Sequence, residues 1–218
     1  MSLGYDLSRP PGSSEGSTVA VLLHGRGSHR GDLQALRSHL PDAWALITPQ
    51  APHPGHAWGY GPGWAWYRYL GEDRVEREGL AQSLEALDSF LQGLPTMLGS
   101  RPGRVVLGGF SQGGTVSLAY ALRHPGAVSA VLNFSGFLAA TPLVDLDGDG
   151  VGATPVFWGH GTRDPNIPFA LAARGRQRLT KAGGRLVVGD YDIGHWIDPA
   201  EVEDAVSFVA SLPAPGLP

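Results

Sequence analysis

The sequence predicts an α/β fold, with a mostly parallel central sheet carrying helices on both faces. Three observations support this. Short apolar runs rich in β-branched residues recur along the chain, helical patterns fall between them, and the runs do not alternate apolar with polar residues. Strands buried on both faces read this way, and joining them through helices produces right-handed crossovers within one parallel sheet.

Six runs qualify as strands: TVAVLLHG (18–25), WALITPQAP (44–52), RVVLGGF (104–110), AVSAVLNFSG (127–136), TPVFWGHG (154–161) and GRLVVGDY (184–191). Between them, Leu80, Leu84, Leu87, Leu91 and Leu94 form one apolar stripe at helical spacing, and Pro95 is expected to end that helix. A second helix is expected from Gln112 to Arg123, closed by His124-Pro125, and a third from about Pro168 to Ala182. The last opens on Asp198-Pro199-Ala200-Glu201, where Asp198 suits the N-cap and Glu201 the reciprocal position of a capping box. There is no internal repeat or dividing linker, so residues 18–211 read as one domain. Residues 1–17 read as a loose lead-in and 212–218 as a tail.

The totals exclude several functions. The 218 residues carry a net charge of −4 with no basic stripe, which argues against nucleic acid as a partner. No run reaches the roughly 18 apolar residues of a membrane span. The lead-in lacks the basic and apolar blocks of a secretory signal, and the chain has no cysteine. Together these favour a cytoplasmic protein, with a homodimer left open.

The chemistry centres on LGGFSQGG (107–114). Gly109-Phe110-Ser111-Gln112-Gly113 is a G-x-S-x-G pentapeptide that closes a predicted strand and opens a predicted helix. In that setting the sharp turn exposes the serine Oγ, and side chains two positions either side would collide. A glycine-rich turn without catalysis is the plain alternative. A serine hydroxyl is a weak nucleophile without a base. Of eight histidines, His195, in a short loop between the last strand and the last helix, is the preferred base, following the chain order serine, acid, histidine. His160 lies ahead of the favoured acid, and His53 and His56 come too early. Asp164, after the fifth strand, can accept the imidazole Nδ1–H; Asp192 is its rival, three residues from His195. Backbone N–H groups of Gln112 and Arg26 are the expected donors to an oxyanion.

Two further stretches bear on binding. HPGHAWGYGPGWAWYRY (53–69) holds three Trp and three Tyr without a clear period. It reads equally as a cover over the core or as a pocket wall, and Trp58, Trp64, Trp66, Tyr67 and Arg68 are the substrate-binding candidates. Asp145-Leu146-Asp147-Gly148-Asp149-Gly150 opens like a calcium loop, but Val156 stands where the bidentate Glu belongs. A solvated turn is the expectation, and no metal site is assigned.

TVAVLLHGRGS (18–28), LGGFSQGG (107–114), VLNFSGF (131–137), GHGTRDPNIP (159–168) and YDIGHWI (191–197) together resemble the phospholipase/carboxylesterase family. These are small α/β-hydrolases that include carboxylesterases and acyl-protein thioesterases. The resemblance covers about residues 18–211. It implies an α/β-hydrolase fold without a large lid domain, cofactor-free hydrolysis of small-molecule esters or thioesters, and an acyl-enzyme intermediate. It places the nucleophile on Ser111, the acid on Asp164, the base on His195 and the oxyanion donors on Arg26 and Gln112. Two positions depart from the family pattern: Arg26 replaces an apolar residue, and Trp66-Tyr67-Arg68 ends on a cation instead of an acid. Fold and triad alone also accommodate a peptidase, a dienelactone-type hydrolase or an acyltransferase, and a non-catalytic binding protein is the reading from another class.

Overall fold

The computed structural model describes residues 3–9, 16–148 and 150–214, and all six apolar runs become strands of one sheet. The strands are β1 (Tyr5–Ser8), β2 (Thr18–Leu23), β3 (Ala45–Pro49), β4 (Arg104–Phe110), β5 (Ala130–Phe134), β6 (Val156–Gly161) and β7 (Leu186–Tyr191). Their order is β1-β3-β2-β4-β5-β6-β7. Every neighbouring pair is parallel except β1 with β3. Residues of β3, β5 and β6 are buried throughout, which is why these runs do not alternate.

The helices are α1 (Arg77–Gln92), α2 (Leu94–Leu98), α3 (Gln112–Arg123), α4 (Phe169–Lys181) and α5 (Pro199–Ser211). Leu84 of α1, Val116 of α3 and Leu171 of α4 share one core with Val21, Leu107 and Val131. On the opposite face, Val202, Ala205 and Phe208 of α5 meet Leu33, Leu46 and Phe157. Leu33 comes from a 3₁₀ helix, Asp32–His39, that no sequence signal marked. The α5 capping box forms as expected: Ala200 N–H donates to Asp198 Oδ1 at 2.9 Å, and Asp198 N–H donates to Glu201 Oε2 at 3.4 Å.

Two sequence expectations are corrected, the loose lead-in and the helix end at Pro95. Residues 5–8 of the supposed lead-in form edge strand β1, with Tyr5 opposite Pro49 and Ser8 opposite Leu46. Leu3 is buried, and Tyr5 packs edge-on against Phe90 at 5.6 Å. Four residues are too few to show a pattern, so the pairing partner decides the strand. Residues 1, 2 and 10–15 of the lead-in lie outside the described residues, as do 215–218 of the tail. The tail is anchored where it is described: Arg104 donates to the carbonyls of Leu212 at 3.3 Å and Pro213 at 2.6 Å. Finally, Pro95 does not terminate the leucine-striped helix. Gly93 ends α1, and Pro95 sits in the first turn of α2, where its missing N–H costs nothing.

Candidate active site

The strand-to-helix turn between β4 and α3 carries Ser111 at φ 54° and ψ −112°, a conformation that strains any residue with a side chain. Ser111 N–H donates to Phe134 O at 2.8 Å, and its own carbonyl accepts from Thr115 N at 3.0 Å. The flanking glycines are required sterically. A Cβ on Gly109 would lie 2.4 Å from Leu23 O and 2.6 Å from the Gly113 carbonyl carbon, and one on Gly113 would lie 1.9 Å from Leu23 O. These obstacles are backbone and cannot swing aside. Gly114 lets α3 settle on β5, since a Cβ there would meet Asn133 Oδ1 at 2.3 Å.

The loops after β6 and β7 bring the other two residues to this serine. His195 Nε2 lies 3.0 Å from Ser111 Oγ, and His195 Nδ1 lies 2.6 Å from Asp164 Oδ2. The side chain of Asp164 is fully buried, and its Oδ1 accepts the N–H groups of Asn166 and Ile167, both at 2.8 Å. Burial works to raise its pKa, but the hydrogen bond from His195 and the backbone donors of Ile167 and Asn166 outweigh it. The carboxyl is therefore held below its ordinary value. Asp192 is turned away from the imidazole, with its side chain 85% exposed and paired with Arg163 at 2.7 Å. His160, the other late histidine, is buried behind the acid. Its Nε2 lies 2.8 Å from Ile167 O, so it braces the turn that presents Asp164.

Beside the elbow runs the loop after β2. Its His24 is buried, with Nδ1 2.7 Å from Gly25 O, while Nε2 accepts Ala51 N–H at 3.1 Å. Burial pushes its pKa down to about 4. The imidazole is therefore neutral and shapes the backbone just ahead of Arg26. The unfolded chain takes up this proton at a higher pH than the folded one. Its contribution to stability is thus complete above about 6.5 and lost as the pH falls toward about 4, on the order of 3 kcal/mol. Asp164 adds its own loss only lower, as the pH drops through its depressed pKa. Glu201, pushed up to about 8 by burial, gains stability as the pH falls through the same window, so His24 is read from the difference between two proteins. In urea unfolding, His24→Gln should lose less stability, or gain more, than the parent between pH 7 and pH 4.5, and an identical pH slope in the two would refute the assignment.

Ser111, His195, Arg26 and Gln112 line one cavity of about 280 Å³. Gln112 opens α3, where the first helical N–H groups lack an intrahelical acceptor, so its N–H is available to a ligand. Its side chain has a role the sequence did not reveal. Oε1 accepts Trp66 N–H at 3.1 Å and Nε2 donates to Tyr67 O at 2.8 Å, tying the aromatic stretch to the elbow.

Of the five substrate-binding candidates, only Tyr67 lines the cavity. Trp66 is wholly buried and donates its indole N–H to His24 O at 2.9 Å, so it supports the loop from beneath. Trp58 packs on His53 at 4.9 Å and against Gly79. Trp64 pairs with Pro54 in a two-stranded ribbon and bridges to Ser28, and Arg68 is exposed. The walls come instead from Tyr69, Phe110, Phe137 and Ile167, together with Tyr67. Phe110 also packs against the His195 ring at 4.7 Å.

In the acidic loop, Asp147 N–H donates to Asp145 Oδ1 at 2.8 Å, as in an Asx turn. Asp149 lies outside the described residues, and Val156 is buried in β6. Among the described residues no group of three His, Asp or Glu side chains could hold a metal ion, and no helix is long and apolar enough to cross a membrane.

Residues 10–212 match the Phospholipase/Carboxylesterase family. Acyl-protein thioesterase 1 of Eremothecium gossypii is 29% identical to this chain, over 89% of it and 90% of the relative. The acyl-protein thioesterase 1 of Cryptococcus neoformans is 30% identical, over 77% and 75% respectively. Among solved structures, esterase PE8 superposes with a TM-score of 0.75 at 27% identity, covering 96% of this chain and 99% of its own. The Bacillus cereus carboxylesterase, at 19% identity, shares the fold with a TM-score of 0.78 over 95% of this chain and 93% of its own. A match that spans nearly the whole chain, on a sheet of this order, identifies the protein as a member of the phospholipase/carboxylesterase family of α/β-hydrolases, enzymes that act on ester bonds.

Proposed function

We propose that this hydrolase cleaves small carboxylic esters or thioesters through an acyl-enzyme on Ser111. The observation that carries the proposal is the unbroken relay from Ser111 Oγ to His195 (3.0 Å) and from His195 to Asp164 (2.6 Å). With Nδ1–H donated to the carboxylate, the Nε2 lone pair faces the serine hydroxyl and can accept its proton. Ser111 Oγ then forms a bond to the carbonyl carbon, and the carbonyl electron pair moves onto its oxygen. The N–H groups of Arg26 and Gln112 hold that oxyanion. As the carbonyl re-forms, His195 gives its proton to the departing oxygen or sulfur and the acyl-enzyme remains. Water repeats the sequence: His195 removes its proton, the tetrahedral species collapses, and Ser111 is released with the free acid.

Asp164 keeps the tautomer and stabilises the imidazolium in both halves, without itself taking up the proton. The acyl-protein thioesterase relatives support including thioesters among the substrates. A cytoplasmic location and a homodimer extend the same proposal. A fluorophosphonate probe tests the chemistry directly. The expected result is one covalent adduct per chain, mapped by peptide mass to Ser111; an unlabelled protein, or an adduct on another residue, would overturn the proposal.

A further inference from the structure

Arg26 brings a charge into the cavity that neutral ester hydrolysis does not require. Its guanidinium carbon sits 4.9 Å from the centre of the Tyr60 ring and 5.7 Å from that of Tyr69. The two rings are themselves fixed. The Tyr60 hydroxyl accepts Tyr69 N–H at 2.8 Å, and the Tyr60 carbonyl lies so close to Gly27 that a Cβ there would come within 2.6 Å of it. Rings held in this way orient a guanidinium while leaving its in-plane N–H groups available for hydrogen bonding.

Among the described residues Arg26 forms no ion pair, whereas Arg163 near His195 is matched by Asp192 at 2.7 Å and Arg176 by Asp190 at 2.5 Å. Asp32 also lines the cavity, but its Oδ2 accepts the Ser28 hydroxyl at 2.6 Å and it is not paired with Arg26. The Tyr69 hydroxyl donates to the Glu72 carbonyl, and Asp73 lies 3.8 Å from Arg178; among the described residues neither Glu72 nor Asp73 forms an ion pair with Arg26.

Resting on the hydrolase reading above, we propose that Arg26 forms an anion subsite and that the preferred substrates are esters or thioesters bearing a carboxylate on the acyl or the leaving half. Arg26 would then serve twice: its backbone N–H on the oxyanion, and its side chain on the remote carboxylate. The second contact selects the substrate, because the charge-assisted hydrogen bond to the guanidinium, which is exposed at the cavity mouth, is lost when the substrate is neutral.

Two pairs of esters test this by kcat/KM. Mono-4-nitrophenyl adipate against 4-nitrophenyl hexanoate places the charge on the acyl half. The butyrate ester of 4-hydroxybenzoate against that of methyl 4-hydroxybenzoate places it on the leaving half. The expected result is a preference of about tenfold for the charged member in at least one pair at low salt, shrinking as NaCl is added. Arg26→Gln should abolish the preference and Arg26→Lys should keep part of it. The charged-to-neutral ratio cancels any change in the shared catalytic machinery. A preference in one pair alone supports the subsite and locates it. No preference in either pair, or a preference unchanged in Arg26→Gln, overturns it while the hydrolase reading stands. If none of the four esters is hydrolysed, the hydrolase reading fails and this proposal with it.

Discussion

Replacing Ser111 by alanine is expected to lower kcat/KM for a short 4-nitrophenyl ester by about a millionfold, with the fold intact. The loss is large because in the proposed mechanism Ser111, His195 and Asp164 act as a unit, so removing the nucleophile leaves the other two nothing to activate. The fold should survive for a local reason. Ser111 Oγ contacts His195, while the turn itself is held by Ser111 N–H on Phe134 O and Thr115 N–H on Ser111 O. Alanine keeps both backbone bonds and occupies the same strained φ of 54°, so stability should change by less than about 1 kcal/mol. Circular dichroism and urea unfolding check the fold, and a stopped assay with active-site titration checks the rate. Turnover above about one hundredth of the parent would remove Ser111 from the nucleophile's role.

The parts of this site that were legible in the sequence are those that topology dictates. A strand buried on both faces leaves an unbroken apolar run, and β3, β5 and β6 are visible for that reason. The ends of β4, β6 and β7 then place Ser111, Asp164 and His195 on one edge of the sheet. Gly109 and Gly113 announce the elbow because backbone occupies the space a side chain would need. The β1 strand was invisible, since a four-residue edge strand is defined by its partner β3 and not by a pattern of its own.

The pocket walls were illegible for a different reason. Residues 53–69 carry no period, so composition could not say which ring faces inward. Trp66 and Tyr67 are adjacent and equally buried, yet one supports the His24 carbonyl and the other lines the cavity. Phe137 and Ile167 come from loops after β5 and β6 that have no compositional link to the aromatic stretch. The Gln112 side chain, which clamps that stretch to the elbow, gave no sequence signal beyond its place next to Ser111.

The second large effect is expected at the acid. Asp164→Asn should reduce kcat/KM about ten-thousandfold, and Asp192→Asn by no more than a few fold. The two carboxylates lie in neighbouring loops, but their surroundings differ. Asp164 is fully buried, with Oδ2 on the imidazole and Oδ1 held by two backbone N–H groups. Those donors will fix the amide oxygen of an asparagine, which turns its NH₂ toward His195 Nδ1. The imidazole must then accept at Nδ1 and carry its proton on Nε2, so the nitrogen facing Ser111 Oγ can no longer act as a base. Asp192 pairs with Arg163 in water, where such pairs contribute at most about 1 kcal/mol, and it has no hydrogen bond to the imidazole. Measuring both variants with one neutral ester gives a direct ranking. If Asp192→Asn proves the more damaging, the acid must be moved and the loop of residues 161–168 loses its catalytic assignment.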